Sequence, residues 1–287
     1  MTHNTPLSLH FKDKHIWLDM SLLALLFIVA HYFPLLKIVP LIASLELFSF
    51  FCFHLLAKGS RFQLQGFLGG FISSTAVFLQ VLNEHKFAAT PDKDVLLALL
   101  FAICAMLLEC VFIIYFLTET APLSYYLPFV AQLVFFCSII FYINISKNPL
   151  FISEFDGEPV PEIELLNDHP IVWKNVIKLS LFILAIIWLM HFIGSEFGLS
   201  RGLSTLLVSL FEAHAILASL MTEWSLSPND IQLLPLFLVI LLGNTLSKSY
   251  LVYKGTNLRQ KGFFITVIIV SLVLATAVTW MGVNLLE

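Results

Sequence analysis

The sequence predicts an all-α fold: a polytopic transmembrane helical bundle of about nine spans, built as one extra helix followed by two parallel four-helix repeats. Three observations predict it. The 287 residues are 59% hydrophobic and only 12% charged, with a mean hydropathy of +0.93, whereas soluble domains carry about 25% charged residues. The apolar residues gather into runs close to the roughly 20 residues that cross a hydrocarbon core. The runs also superpose on one another when the chain is shifted along itself. Lipid offers the backbone no hydrogen-bond partners, so long apolar runs must be helical; a closed barrel would show short alternating segments instead.

The predicted spans are residues 17–36, 38–57, 66–83, 95–118, 123–145, 175–195, 203–222, 232–253 and 262–283. The first follows Lys12, Asp13 and Lys14 with no small-residue cleavage site behind it, so it reads as a retained anchor. Only Pro34 to Lys37 separates it from the second, which predicts a tight hairpin or a tilted helix. Residues 146–174 form a linker whose middle is acidic, with Glu154, Asp156, Glu158, Glu162, Glu164 and Asp168, and whose prolines at 149, 159, 161 and 170 favour an extended path. The organisation is therefore an N-terminal tail and extra helix (1–37), a first repeat (38–145), the linker (146–174) and a second repeat (175–287). Basic residues at the span ends number eight on the N-terminal side and six on the other. That bias favours a cytoplasmic N-terminus.

A shift of 139 residues lays 38–57 on 177–196, 66–83 on 205–222, 95–118 on 234–257 and 123–144 on 262–283. Four spans separate equivalent positions, so the two halves share one orientation. The two least hydrophobic spans coincide, placing Gly69-Gly70-Phe71-Ile72-Ser73-Ser74-Thr75-Ala76 on Val208-Ser209-Leu210-Phe211-Glu212-Ala213-His214-Ala215. Paired weak segments of this kind point to a site near the midplane. Glu109 falls on Lys248.

A charged side chain inside the bilayer costs several kcal/mol unless it meets a cavity or a partner. Glu212, Lys248 and Glu109 are therefore the first candidates, Glu109 and Lys248 as charge-balancing or coupling groups, with a structural ion pair between Glu109 and Lys248 or another buried cation as the alternative. Glu212 and His214 are candidate ion ligands, but two residues span about 200° of a regular helix. They reach one cavity only if that helix is unwound. The same holds for Ser73 and Thr75, and Gly69-Gly70 offers a place for a break, Ser209 a poorer one. Asn244 shares a helix face with Lys248, whose plain alternative is to snorkel to the headgroups near Lys254. Ser73, Ser74 and Thr75 also suit close helix packing. Glu46, His31, His54 and His191 read as interhelical hydrogen-bonding groups.

Several classes are excluded. No basic cluster interleaved with aromatics suits nucleic acid. Cys52, Cys104, Cys110 and Cys137 lie in apolar runs without metal spacing. Neither a GxSxG elbow nor an HExxH pair is present, so no enzyme and no cofactor is expected.

Three motifs resemble an uncharacterised bacterial membrane family, the domain of unknown function found as the C-terminal part of MgtC/SapB-like proteins. Gly69 to Ala76 is similar to its GG-x-x-SSTA signature, Glu212-Ala213-His214-Ala215-Ile216 to its D-x-D-A-I segment, and Gly243-Asn244-Thr245-Leu246-Ser247-Lys248 to its A-N-T-x-x-K motif. The resemblance covers residues 38–283. It departs where His214 replaces the second acid and where Glu109 stands in place of an arginine. It implies a bacterial inner-membrane location and an association with magnesium homeostasis or membrane ATPases.

The expected function is a transporter or channel-like protein for a small ion, a divalent cation such as magnesium or a proton. Glu212 and His214 would bind it, as metal ligands for a divalent cation, while Ser73, Ser74, Thr75 and Asn244 would supply neutral oxygens. The alternative is a non-transporting regulator that binds another membrane protein. A homo-oligomer fits either.

Overall fold

The computed structural model describes residues 14–32, 37, 39–44, 46–48, 61–87, 91–118, 121–146, 171, 173–197, 201–210, 212–224, 233–255 and 260–286. Among them the regular elements are helices: α1 (Lys14–Tyr32), α2 (Arg61–Phe87), α3 (Asp92–Leu117), α4 (Leu123–Ile145), α5 (Trp173–Phe197), α6 (Arg201–Ser209), α7 (Ala213–Trp224), α8 (Leu233–Gly255) and α9 (Lys261–Leu286). The described residues contain no strand. Among the described residues four helices are long and apolar enough to cross a membrane, at Asp92–Leu117, Leu123–Ile145, Leu233–Gly255 and Lys261–Gly282. The predicted span 203–222 is instead two short helices, α6 and α7. Most of the predicted span 38–57, with His54, and most of the acidic linker lie outside the described residues.

The chain divides into two compact units, Met1–Gly59 with Asp156–Phe182, and Ser60–Phe155 with Ile183–Glu287. In the first, Trp173 donates its indole N–H to Asp19 Oδ1 at 2.8 Å. Asp19 is buried, its Oδ2 has no hydrogen-bond partner, and the apolar Ile16, Ile171 and Val176 are buried in the same unit. Trp17, Leu18, Leu25 and Ile28 of α1 are exposed.

The second unit is organised by α3. Its sequence is apolar on every face, the pattern of a helix enclosed on all sides, and an unbroken stretch from Val95 to Leu100 is buried. Asp92 and Asp94 in its first turn complement the helix dipole, and the Pro91 carbonyl accepts from Asp94 and Val95 at 3.0 and 3.2 Å. Helices α2, α4 and α7 pack against α3, while α8 packs against α6, α7, α9 and α2, and α4 pairs with α9. Outer faces are apolar, with Val134, Phe141, Val273 and Trp280 exposed.

Glycines set how closely α2 and α3 approach. A Cβ on Gly66 would lie 2.3 Å from the Ala98 carbonyl oxygen, and one on Gly70 would lie 2.7 Å from that of Ala102 and 2.9 Å from Ala105 Cβ. Small residues one turn apart let two helix backbones touch. On the other side, Gly243 of α8 leaves room for Ser209, whose Oγ a Cβ would meet.

Candidate functional site

The site begins with two interruptions. Within α2, Ser73 is extended (φ −165°, ψ 106°), so the helix restarts after it. Ser73 Oγ accepts from the Ala76 N–H at 3.3 Å, capping the new N-terminus as serine does. The sequence suggests a break at Gly69-Gly70, and the structure places it three to four residues later, at Ser73. Gly70 is used for contact with α3, and Gly69 accommodates the bend: a Cβ there would lie 2.4 Å from Val77 Cγ2. Eight residues of regular helix would put these positions about 12 Å apart.

The second interruption lies between α6 and α7. The Leu210 and Glu212 N–H groups still donate to the Leu206 and Val208 carbonyls at 3.3 and 3.2 Å, but Glu212 is outside helix and α7 starts at Ala213. This removes the 200° objection, because Glu212 and His214 do not stand on one regular helix.

The interruptions meet. Ser73 Oγ donates to Glu212 Oε2 at 3.2 Å. On the same carboxylate, Oε1 lies 3.0 Å from His214 Nδ1, which lies 3.5 Å from Glu109 Oε2 on α3. Glu109, Glu212 and His214 are 1%, 7% and 0% exposed. Beyond these close approaches, which are not aligned as hydrogen bonds, Glu109 Oε2, Glu212 Oε1 and both His214 nitrogens have no hydrogen-bond partner, although buried polar groups are normally satisfied. Two carboxylates and an imidazole thus converge with unspent hydrogen-bonding capacity.

Lys248 and Asn244 form the adjoining cluster on α8. Lys248 Nζ hydrogen-bonds Asn244 Oδ1, lies 3.5 Å from Met106 Sδ on α3 and stands 5.5 Å from the Phe78 ring centroid of α2. At 1% exposure the lysine is enclosed, which rules out snorkelling within this unit. No carboxylate among the described residues is within ion-pair distance of it, so the Glu109–Lys248 pair is not formed and Glu109 faces His214 instead. Lys248 is near enough to Glu212 and His214 to interact electrostatically. Ser74 is buried and Thr75 half-buried, in the turn following the first break.

Among the described residues no group of three His, Cys, Asp or Glu side chains could hold a metal ion. A groove of about 430 Å³ lined by Phe67, Phe101, Cys104, Leu133 and Cys137 contains none of the predicted site residues. Of the lone polar residues, His31 is exposed with its ring 5.5 Å from Tyr32, Glu46 is half-buried, and the His191 side chain lies outside the described residues. Sequence reasoning passed over Asp19, whose signal was plain: it is the one acid in the run 17–36. It also missed Met106 and Phe78, which carry no signal beyond being apolar.

Comparison with known proteins adds a family and nothing further. No curated protein and no solved structure matches the chain. Residues 41–255 match the family described as a domain of unknown function (DUF4010). That stretch contains both interruptions, Glu109, His214 and the Asn244–Lys248 pair, and it is well over half of the protein. The chain belongs to the DUF4010 family.

Proposed function

We propose that the chain is an integral membrane protein that moves a small ion across the bilayer through the polar site where its two interrupted helices meet. The observation that carries this is the Ser73–Glu212 hydrogen bond, which joins the interruptions across 139 residues beside three buried ionisable side chains. Interrupted backbone at membrane depth is tolerated only when buried in protein or bordering a water-filled cavity. Paired interruptions in two halves are the way many transporters build a site near the midplane.

The proposed repeat supports the same reading. Under the 139-residue shift α2 corresponds to α6 with α7, α3 to α8 and α4 to α9, so Ser73 corresponds to Glu212 and Glu109 to Lys248. The packing is consistent with that exchange: α3 meets α7 as α8 meets α2, and α4 meets α9 across the axis. The site thus lies where the halves cross, and either half can move against the other around it. With no metal-holding group among the described residues, the ion need not be a divalent cation. The bacterial inner membrane and the MgtC-type association enter this proposal through the motif resemblance alone.

Purified protein reconstituted in liposomes and given proton, Na⁺, K⁺ and Mg²⁺ gradients in turn is expected to move charge above an empty control. Glu212→Gln is expected to abolish that movement. No charge movement under any gradient, or an unaffected Glu212→Gln, refutes the proposal.

A further inference from the structure

We infer that Glu109, His214 and Glu212 hold one exchangeable proton between them, so that H⁺ is the ion this site binds and releases. The inference deepens the transport reading and rests on it for the coupling to movement, but the proton itself is argued from charge and geometry.

The buried charges do not balance as they stand. Glu109 and Glu212 bring two carboxylates, and Lys248 is the enclosed cation near them. One negative charge is left over in a region walled by Phe78, Met106 and the apolar faces of α3 and α7, where a net charge is strongly disfavoured. A single proton restores neutrality. A divalent cation would overshoot by one charge, and an anion would double the deficit. The helix N-terminus after Ser73, which could otherwise attract an anion, is already met by the Ser73 hydroxyl on the Ala76 N–H.

The geometry suits a shared proton. His214 Nδ1 stands between the carboxylates, 3.0 Å from Glu212 Oε1 and 3.5 Å from Glu109 Oε2, so a small tilt of the ring exchanges which oxygen it faces. In one transfer the O–H bond at Glu109 breaks as the N–H bond at Nδ1 forms, leaving a carboxylate and an imidazolium. In the next, that N–H bond breaks as an O–H bond forms at Glu212. Nothing else is consumed. Within the cluster, the four atoms without an aligned hydrogen bond are those such a chain would use or leave open: Glu109 Oε2, Glu212 Oε1, and Nδ1 and Nε2 of His214. Around the cluster α3 presents Glu109 and the buried Cys110 thiol, α8 presents Lys248, α2 presents the Ser73 hydroxyl, and α6 brings no titratable group among its described side chains.

Infrared difference spectroscopy on the full-length protein in detergent, titrated across pH, reads carboxylic acid and imidazolium bands without any need for transport. Wild type is expected to show one titration step from the cluster. Glu109→Gln removes one negative charge without changing shape, so that step should disappear. Lys248→Met removes the enclosed cation, so the cluster should retain a second proton and the step should grow. A wild type without a step, or a step unchanged in Glu109→Gln, overturns the inference, and Glu109→Gln keeps it testable should Lys248→Met fail to fold. A step without ion movement in liposomes removes the transport reading and leaves the proton; ion movement without a step does the reverse.

Discussion

Replacing Gly66 with alanine tests the packing that aligns the site. The new Cβ would meet the Ala98 carbonyl oxygen at 2.3 Å and its carbonyl carbon and Cα at 2.8 Å, where ordinary contact begins at 3.4 Å. All three atoms are backbone, so no side chain can rotate away and α2 must move from α3 by an amount on the order of 1 Å. Overpacking of this kind costs about 1–3 kcal/mol, and the backbone partners place Gly66→Ala at the upper end. Alanine gains about 1 kcal/mol of helix propensity over glycine, leaving a net loss of about 2 kcal/mol. For a unit of this size that lowers Tm by about 4–8 °C. The control lies in the same chain: Gly262 in α9 has nothing within 4 Å of its prospective Cβ, so Gly262→Ala should raise Tm slightly. Thermal unfolding in detergent, followed by circular dichroism, compares the two. A Gly66→Ala protein as stable as Gly262→Ala would refute the close approach of α2 and α3.

Two further substitutions have defined outcomes. Ser73→Ala removes both the cap on the Ala76 N–H and the donor to Glu212; a stability loss of about 1 kcal/mol is expected, with Ser73→Thr close to wild type by the same melting assay. Trp173→Phe strips a buried carboxylate of its indole donor and should cost about 1–3 kcal/mol. Pairing it with Asp19→Leu should recover most of that loss, since removing both partners leaves nothing unsatisfied; failure of the double variant to recover would show that Asp19 has another role.

Much of the helical layout was legible in the sequence. The runs 95–118, 123–145, 175–195, 232–253 and 262–283 correspond closely to α3, α4, α5, α8 and α9, because a long apolar run allows the backbone few alternatives to helix. The interruptions were legible as regions of weak hydrophobicity but not as positions. Glycine signals both a bend and a close contact, and at Gly70 the contact with Ala102 and Ala105 is the one realised, while a serine able to cap marks the restart. The partner of Glu109 was not legible either. Sequence ranks charges by sign and so offered Lys248, whereas the interruption before α7 turns His214 toward Glu109. Lys248 instead takes Asn244, its neighbour one turn earlier.

Under the proposed transport reading, the lengths of α6 and α7 would also set the site's share of a membrane voltage. With nine and twelve residues, they extend about 14 and 18 Å, each about half of a 30 Å hydrocarbon core. If the two helices together cross the bilayer as that reading requires, a charge arriving at Glu212 from either side would fall through about half of the potential. At 100 mV this is worth about 1.1 kcal/mol, roughly a sevenfold change in occupancy. The polarity of the membrane, and not only the concentration of the ion, would then help decide how often the cluster is filled.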